Sequence, residues 1–173
     1  MKPYVVLEKK VGETPLQCLE TYRNAQEDLQ KIPMAYAGRL DPMASGKLLV
    51  LQGDECKVQE KYHNLDKEYM FEVLFGVGSD SGDVLGLLTT CAVPMITERA
   101  LRAAIKKLTG AIELPYPQFS SKTVQGKPLH VWTLEGKIDT IEIPTKTSHI
   151  YQLRLDKIYT QTAQQVYVYA TEK

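Results

Sequence analysis

The chain has 173 residues, a hydrophobic fraction of 43%, and 21 basic against 21 acidic side chains, for a formal net charge of zero. A chain this long removes roughly 70% of its unfolded surface from water on folding, so one domain over residues 1–173 is expected, without metal or disulfide staples. The charge balance excludes a protein held on nucleic acid by bulk electrostatics, leaving such binding to local patches, and no apolar run approaches the roughly 20 residues of a membrane span.

Residues 4–8 have a strand-like pattern, and the segment meets charge at Glu8 too soon to supply the apolar core of a signal peptide, so a cytoplasmic protein is expected. Pro15 then opens an amphipathic helix with Leu16, Leu19, Tyr22 and Leu29 on its apolar face, which Pro33 stops. Residues 48–51 form a short buried strand or helix segment, and 55–65 a helix with charge on its outer side. A strand follows over 68–77, with Tyr69, Phe71, Val73 and Phe75 on one face. The clearest helix runs over 97–108: Thr97 caps it, Leu101, Ala104, Ile105 and Leu108 form its stripe, and Gly110 closes it. Beyond Pro115 and Pro117 the pattern predicts strands at 140–143, 151–158 and 165–169. Helices interspersed with antiparallel pairings imply an α+β domain around one mixed sheet.

Cys18, Cys56 and Cys91 are odd in number and widely spaced, which reads as reduced packing thiols and not as a zinc site. His63, His130 and His149 have no pair at ligand spacing, so no metal is expected. Local basic patches are Lys9 with Lys10, the group Lys57, Lys61 and Lys67, and Arg99, Arg102, Lys106 and Lys107 on the 97–108 helix, the last reading as a solvated face. Gly76-Val77-Gly78 lacks the third glycine of a dinucleotide loop, and Asp80 and Asp83 read as turn caps.

The most informative stretch is Ala37-Gly38-Arg39-Leu40-Asp41-Pro42-Met43-Ala44-Ser45-Gly46. It sets a lone carboxylate on a tight turn, after an Arg that could hold it ionised and before a Pro that removes a backbone donor. Two readings follow: a presented nucleophile, or a helix N-cap of the Asp-Pro kind.

The surrounding motifs separate them. Leu7-Glu8-Lys9-Lys10-Val11-Gly12-Glu13-Thr14, the Asp41 turn, Leu51-Gln52-Gly53-Asp54 and Lys67-Glu68-Tyr69 occur in an order that resembles the TruB family of tRNA pseudouridine synthases. Further on, Gly76-Val77-Gly78-Ser79-Asp80-Ser81-Gly82-Asp83-Val84-Leu85-Gly86 is similar to that family's Gly-x-x-Thr-Asp-Thr-x-Asp-x-x-Gly segment, and Tyr116-Pro117-Gln118-Phe119-Ser120-Ser121-Lys122 to its Pro-Pro-x-Tyr-Ser-Ala block.

The resemblance implies a pseudouridine synthase catalytic core, an α+β fold with a bent, largely antiparallel sheet flanked by helices. It implies an isomerase that converts uridine to pseudouridine in the T-loop of tRNA, at the uridine-55 type of position, with the tRNA T-arm as partner and no cofactor. Asp41 matches the family's nucleophile, and a carboxylate suits attack at C1′ or stabilisation of the positive character there. Tyr69 matches the tyrosine of the Lys-x-Tyr segment, which would stack on the everted uracil and help remove its C5 proton. Tyr36 stands where bacterial members carry a His, and Arg39 where they have a small residue. Gly-Arg-Leu-Asp is instead the wording of the related RsuA-type synthases, so Arg39 is expected to pair with Asp41. Tyr36, Arg39 and Lys67 complete the expected substrate-binding set.

The chain ends at Val168-Tyr169-Ala170-Thr171-Glu172-Lys173, where the family's Cys-Ser-x-Gly-Thr-Tyr-Ile-Arg segment would begin. The resemblance thus implies a core without that Arg and without a C-terminal RNA-binding module, its tRNA affinity weaker or dependent on a further RNA-binding partner. Two rival readings stand beside the enzyme. One is an inactive or partner-dependent tRNA-binding or remodelling protein on the same fold; the other is a small hydrolase pairing Asp41 with Asp80 or Asp83.

Overall fold

The computed structural model describes residues 2–171 apart from 91, 93 and 94, and only the backbone of 163 and 169–171. Its contacts divide the chain into two compact units, 1–71 and 72–173.

The first unit is built on a three-stranded antiparallel sheet of order β1-β3-β2, where β1 is Tyr4–Lys9, β2 is Met34–Tyr36 and β3 is Gly46–Gln52. Strand β3 is central because it is the most apolar: Leu48, Val50 and Leu51 are at most 2% exposed. Against it lies helix α1, Pro15–Asn24, which buries Cys18 and Leu19, while Val5, Leu7, Met34 and Tyr36 pack around that cluster. Thr14 fixes the start of α1 through a reciprocal capping box: its Oγ1 accepts the Gln17 N–H, and Gln17 Oε1 accepts the Thr14 N–H at 2.8 Å.

The helix ends at Asn24, well before Pro33. Between Asn24 and Asp28 only Ala25 is apolar, so a longer helix would bury little, and a 3-10 turn over Glu27–Leu29 brings Leu29 into the interior instead. The helix expected over 55–65 is a 3-10 segment, Gly53–Tyr62, interrupted at Val58, which has φ −114° and ψ 26°.

The strand expected over 68–77 does not form as predicted. Residues 65–74 carry no regular structure, and only Val77–Ser79, strand β4, is paired. The alternation of Tyr69, Phe71 and Val73 is suitable for a half-buried strand, but a strand also needs a neighbour for its backbone donors and acceptors. Among the described residues no strand pairs with 65–74, and these three side chains are 61–68% exposed.

In the second unit β4 pairs with β5, Leu88–Thr90. Helix α2, Glu98–Leu108, starts where expected, with Thr97 Oγ1 accepting the Ala100 N–H at 3.2 Å. Strand β6, Gly110–Pro115, pairs antiparallel with β9, Thr145–Ile150. Between them lie a two-residue hairpin and helix α3, Leu129–Leu134. The hairpin joins β7, Thr123–Val124, to β8, Lys127–Pro128, and turns on Gln125 and Gly126, both at positive φ as a type I′ turn requires. Leu129 is fully buried.

The late strands are corrected in three places. Residue 140 ends a 3-10 turn over Ile138–Thr140, 141–143 form no strand, and the strand lies at Thr145–Ile150. Residues 151–158 are irregular despite their alternation, and like 65–74 they find no strand partner among the described residues. Residues 165–169 lie inside helix α4, Ala163–Thr171, because Thr162 and Gln165 form a second capping box that outweighs the β-branched pattern. The whole is an α+β fold whose described strand pairs are all antiparallel.

Candidate active site

The Asp41 turn is the loop from β2 to β3. The Ala37 N–H donates to Leu49 O at 2.8 Å, extending the β2–β3 ladder by one residue, after which Gly38 turns the chain at φ +106°. A short turn follows, closed by the Ala44 N–H on Asp41 O at 2.9 Å. No helix begins at Asp41, so the N-cap reading is set aside.

Two contacts, one from the β1–α1 loop and one from the last residue of β1, clamp this turn. The Gly12 N–H donates to Pro42 O at 2.8 Å, and Lys9 Nζ donates to Ala44 O at 2.5 Å and to Lys10 O at 2.9 Å. Lys9 is only 1% exposed. It continues the inward row of Val5 and Leu7 on β1, so its stem lies on the core side and its ammonium ends on two carbonyls. This corrects the reading of Lys9 as part of an RNA-facing patch; Lys10 alone of that pair is exposed. The period-two spacing of Val5, Leu7 and Lys9 was the signal for it.

Asp41 itself is exposed, and among the described residues its carboxylate has no hydrogen-bond or ion-pair partner. Arg39, also exposed, forms no ion pair with it, so the expected Arg39–Asp41 pairing is absent. Tyr36 is half-buried against the core cluster, with its backbone carbonyl accepting Gln59 Nε2 at 2.8 Å. Lys67 turns back onto His63 O and Leu65 O at 3.1 and 2.9 Å, tying off the end of the 3-10 segment. Tyr69, 68% exposed, lies in the irregular 65–74 stretch. Among the described residues no hydrogen bond or ring contact joins Asp41 to Tyr36, Lys67 or Tyr69. A hollow of about 390 Å³ lined by Pro33, Gly53, Asp54, Cys56 and Lys57 contains no residue of the Asp41 turn.

Asp80 and Asp83 serve their own loop. Asp80 Oδ1 accepts the Leu87 N–H at 2.7 Å, and Asp83 Oδ1 accepts the Leu85 N–H and Ser81 Oγ at 2.9 and 2.8 Å. A Cβ at Gly86 would fall 2.3 Å from Asp80 Oδ1 and Ser81 Oγ and 2.4 Å from Ser79 Oγ, so any larger residue here would have to displace the polar side chains that close this turn. Of the cysteines, Cys18 is buried, its thiol pushed up first by burial and then by Glu13. Cys56 is half-buried, with Sγ toward Pro33 O and Leu51 O, and Cys91 lies outside the described residues. Among the described residues no three His, Cys, Asp or Glu side chains gather to hold a metal, and no helix is long and apolar enough to cross a membrane.

Fold and turn together define an α+β protein that presents an exposed carboxylate from a clamped loop. Residues 26–171 match the TruB family pseudouridylate synthase (N terminal domain), and the chain belongs to that family. Among curated relatives it is 32% identical over 155 residues to the tRNA pseudouridine synthase B of Caldicellulosiruptor saccharolyticus, which covers 90% of this chain and 52% of the relative. It is 29% identical over 158 residues to that of Syntrophus aciditrophicus, covering 91% and 49%, and 31% identical over 154 residues to that of Bordetella avium, covering 87% and 61%. The chain therefore spans about half the length of the curated relatives it matches.

Proposed function

We propose that this chain is the catalytic part of a cytoplasmic tRNA pseudouridine synthase acting on the T-loop uridine of the tRNA T-arm, with Asp41 as nucleophile. The observation that carries the reading is the Asp41 turn: its backbone is held at Pro42 and Ala44 while its carboxylate is exposed and, among the described residues, unpartnered. A group that must reach C1′ of an everted nucleotide needs that combination of fixed backbone and open side chain.

The reaction loses no atoms. The C1′–N1 bond breaks as the carboxylate attacks C1′ or shields its positive charge, and the uracil turns in place. C5 then bonds to C1′, the C5 proton leaves to a base, and N1 takes up a proton. No redox cofactor enters this balance. Tyr69 is assigned to stacking on the uracil, which is worth about 1 to 3 kcal/mol and offsets much of the cost of eversion. Arg39, exposed and unpaired with Asp41, is free to meet a phosphate beside the target nucleotide, and Tyr36 and Lys67 complete the substrate-binding set. The family match crosses both compact units, which supports one catalytic domain over them.

A second reading is favoured by one observation, the lack of any ion pair on Asp41 among the described residues: a tRNA-binding protein on this fold without chemistry. One assay separates them. Incubated with unmodified tRNA, the wild type yields pseudouridine and the Asp41→Asn variant yields none; tight binding without product in either protein selects the second reading.

A further inference from the structure

Helix α2 is sharply two-sided. Leu101 and Ile105 are half-buried on one side, and Arg99, Arg102, Lys106 and Lys107 lie exposed on the other. Glu98 is the helix's only acid, and it is engaged by Arg102, whose Nε and Nη2 reach Glu98 Oε1 at 2.8 and 2.6 Å. Among the described residues Arg99, Lys106 and Lys107 have no ion-pair partner. A chain of zero net charge thus concentrates a surplus of three positive charges, four bases less one acid, on this one helix.

We propose that this outer face of α2 holds the phosphate backbone of the RNA substrate, independently of base sequence. The proposal rests on the reading of the chain as a tRNA-binding protein. Three features carry it. The stripe is opposite in charge to a polyanion, and among the described residues no carboxylate pairs with Arg99, Lys106 or Lys107. Arg99 and Lys106 are seven residues apart, or about 10 Å along the axis at roughly 1.5 Å per residue, a span over which a nucleic-acid strand offers more than one phosphate. Finally, all three side chains project from a rigid helix and not from a loop, so holding them in place costs no backbone ordering. Because backbone contacts carry no sequence information, this face would add affinity and orientation while choice of uridine stays with the Asp41 region.

The test measures tRNA affinity of the whole chain as a function of salt. Two triple variants are compared with wild type: Arg99→Gln, Lys106→Gln and Lys107→Gln, which removes the charges and keeps helix propensity, and Arg99→Lys, Lys106→Arg and Lys107→Arg, which keeps the charges. Circular dichroism checks that both hold the helix. The expected result is that the neutral variant loses roughly tenfold affinity at low salt and that its slope of log affinity against log salt falls by about 2 to 3, while the charge-conserving variant matches wild type. An unchanged slope in the neutral variant overturns the inference, as does an equal loss in both variants. If the neutral variant keeps tRNA but loses a polyglutamate peptide, the face belongs to an acidic protein partner and the inference is again overturned. Wild-type protein that binds no tRNA at all overturns the tRNA reading itself, whereas wild-type binding with indifferent variants overturns only the role of α2.

Discussion

Lys9 Nζ and the carbonyl oxygen of Ala44 meet at 2.5 Å across 35 residues of chain, joining the end of β1 to the turn that carries Asp41. A fully desolvated ammonium is costly, and this one is held by two carbonyls, Ala44 O and Lys10 O, in charge-assisted bonds. The lysine is a positioning residue: it sets where the turn sits without facing solvent.

Replacing Lys9 by Met keeps the apolar stem and removes the two bonds. The variant is expected to lose about 1 to 3 kcal/mol of stability in urea unfolding, since the Ala44 carbonyl loses its partner. Turnover should fall further than affinity for tRNA, because a loosened turn misplaces Asp41 without touching the RNA. A Lys9→Met protein with full turnover would show that the clamp does not position the carboxylate.

Much of this arrangement was legible in the sequence. Both long capped helices announced themselves, α1 by Pro15 and α2 by Thr97, because caps and stripes are local. The turn was legible from Gly38, Asp41 and Pro42 for the same reason. What could not be read was what depends on distant partners. Tyr69 to Phe75 and Tyr151 to Leu155 both alternate as strands do, but alternation states only which face would be buried, and neither segment has a neighbouring strand among the described residues. At 165–169, Val166 and Val168 suggested a strand, while the deciding signal was the Thr162–Gln165 capping box three residues earlier. Lys9 was misread because a charged side chain was counted by its head and not by the inward phase of its strand.

Asp41→Asn should leave the fold untouched. The carboxylate is exposed and unpartnered among the described residues, so removing its charge disturbs no packing and strands no buried group. Unfolding free energies of the variant and wild type are expected to agree within about 0.5 kcal/mol. Affinity for unmodified tRNA should likewise stay within a few-fold while product formation is lost. A large stability change would mean that Asp41 holds the turn together and does not simply project from it.

Thr14→Ala removes one half of the first capping box and leaves Gln17 N–H without its acceptor. A loss of about 1 kcal/mol is expected in urea unfolding. The residue lies outside the Asp41 turn, so pseudouridine formation by the folded fraction should be unchanged. Thr14→Ser, which keeps the oxygen, should recover most of the loss; if both substitutions cost the same, the methyl packing and not the cap is responsible.

Glu135 offers a titration with a defined sign. Its carboxylate takes two bonds from Lys127 Nζ, at 2.9 and 2.8 Å, with Lys137 Nζ farther off at 3.7 Å. Chiefly through the Lys127 hydrogen bonds, its pKa is held below the usual carboxylate value. The folded state therefore binds this proton less readily than the unfolded chain. Whatever stability the pair contributes is present above the ordinary glutamate range near pH 4.3 and is lost as pH falls through the folded-state value. Because the pair lies at the surface, high salt should weaken the effect. Lys127 Nζ also sits 4.2 Å from the centroid of the Trp132 ring, a cation–π contact that helps hold the ammonium in place. In an NMR titration of the Glu135 side chain, Lys127→Met should move the midpoint up toward the ordinary range, and Lys137→Met should move it less. An equal response to both lysines would mean that diffuse charge, not the directed bonds from Lys127, sets the titration of Glu135.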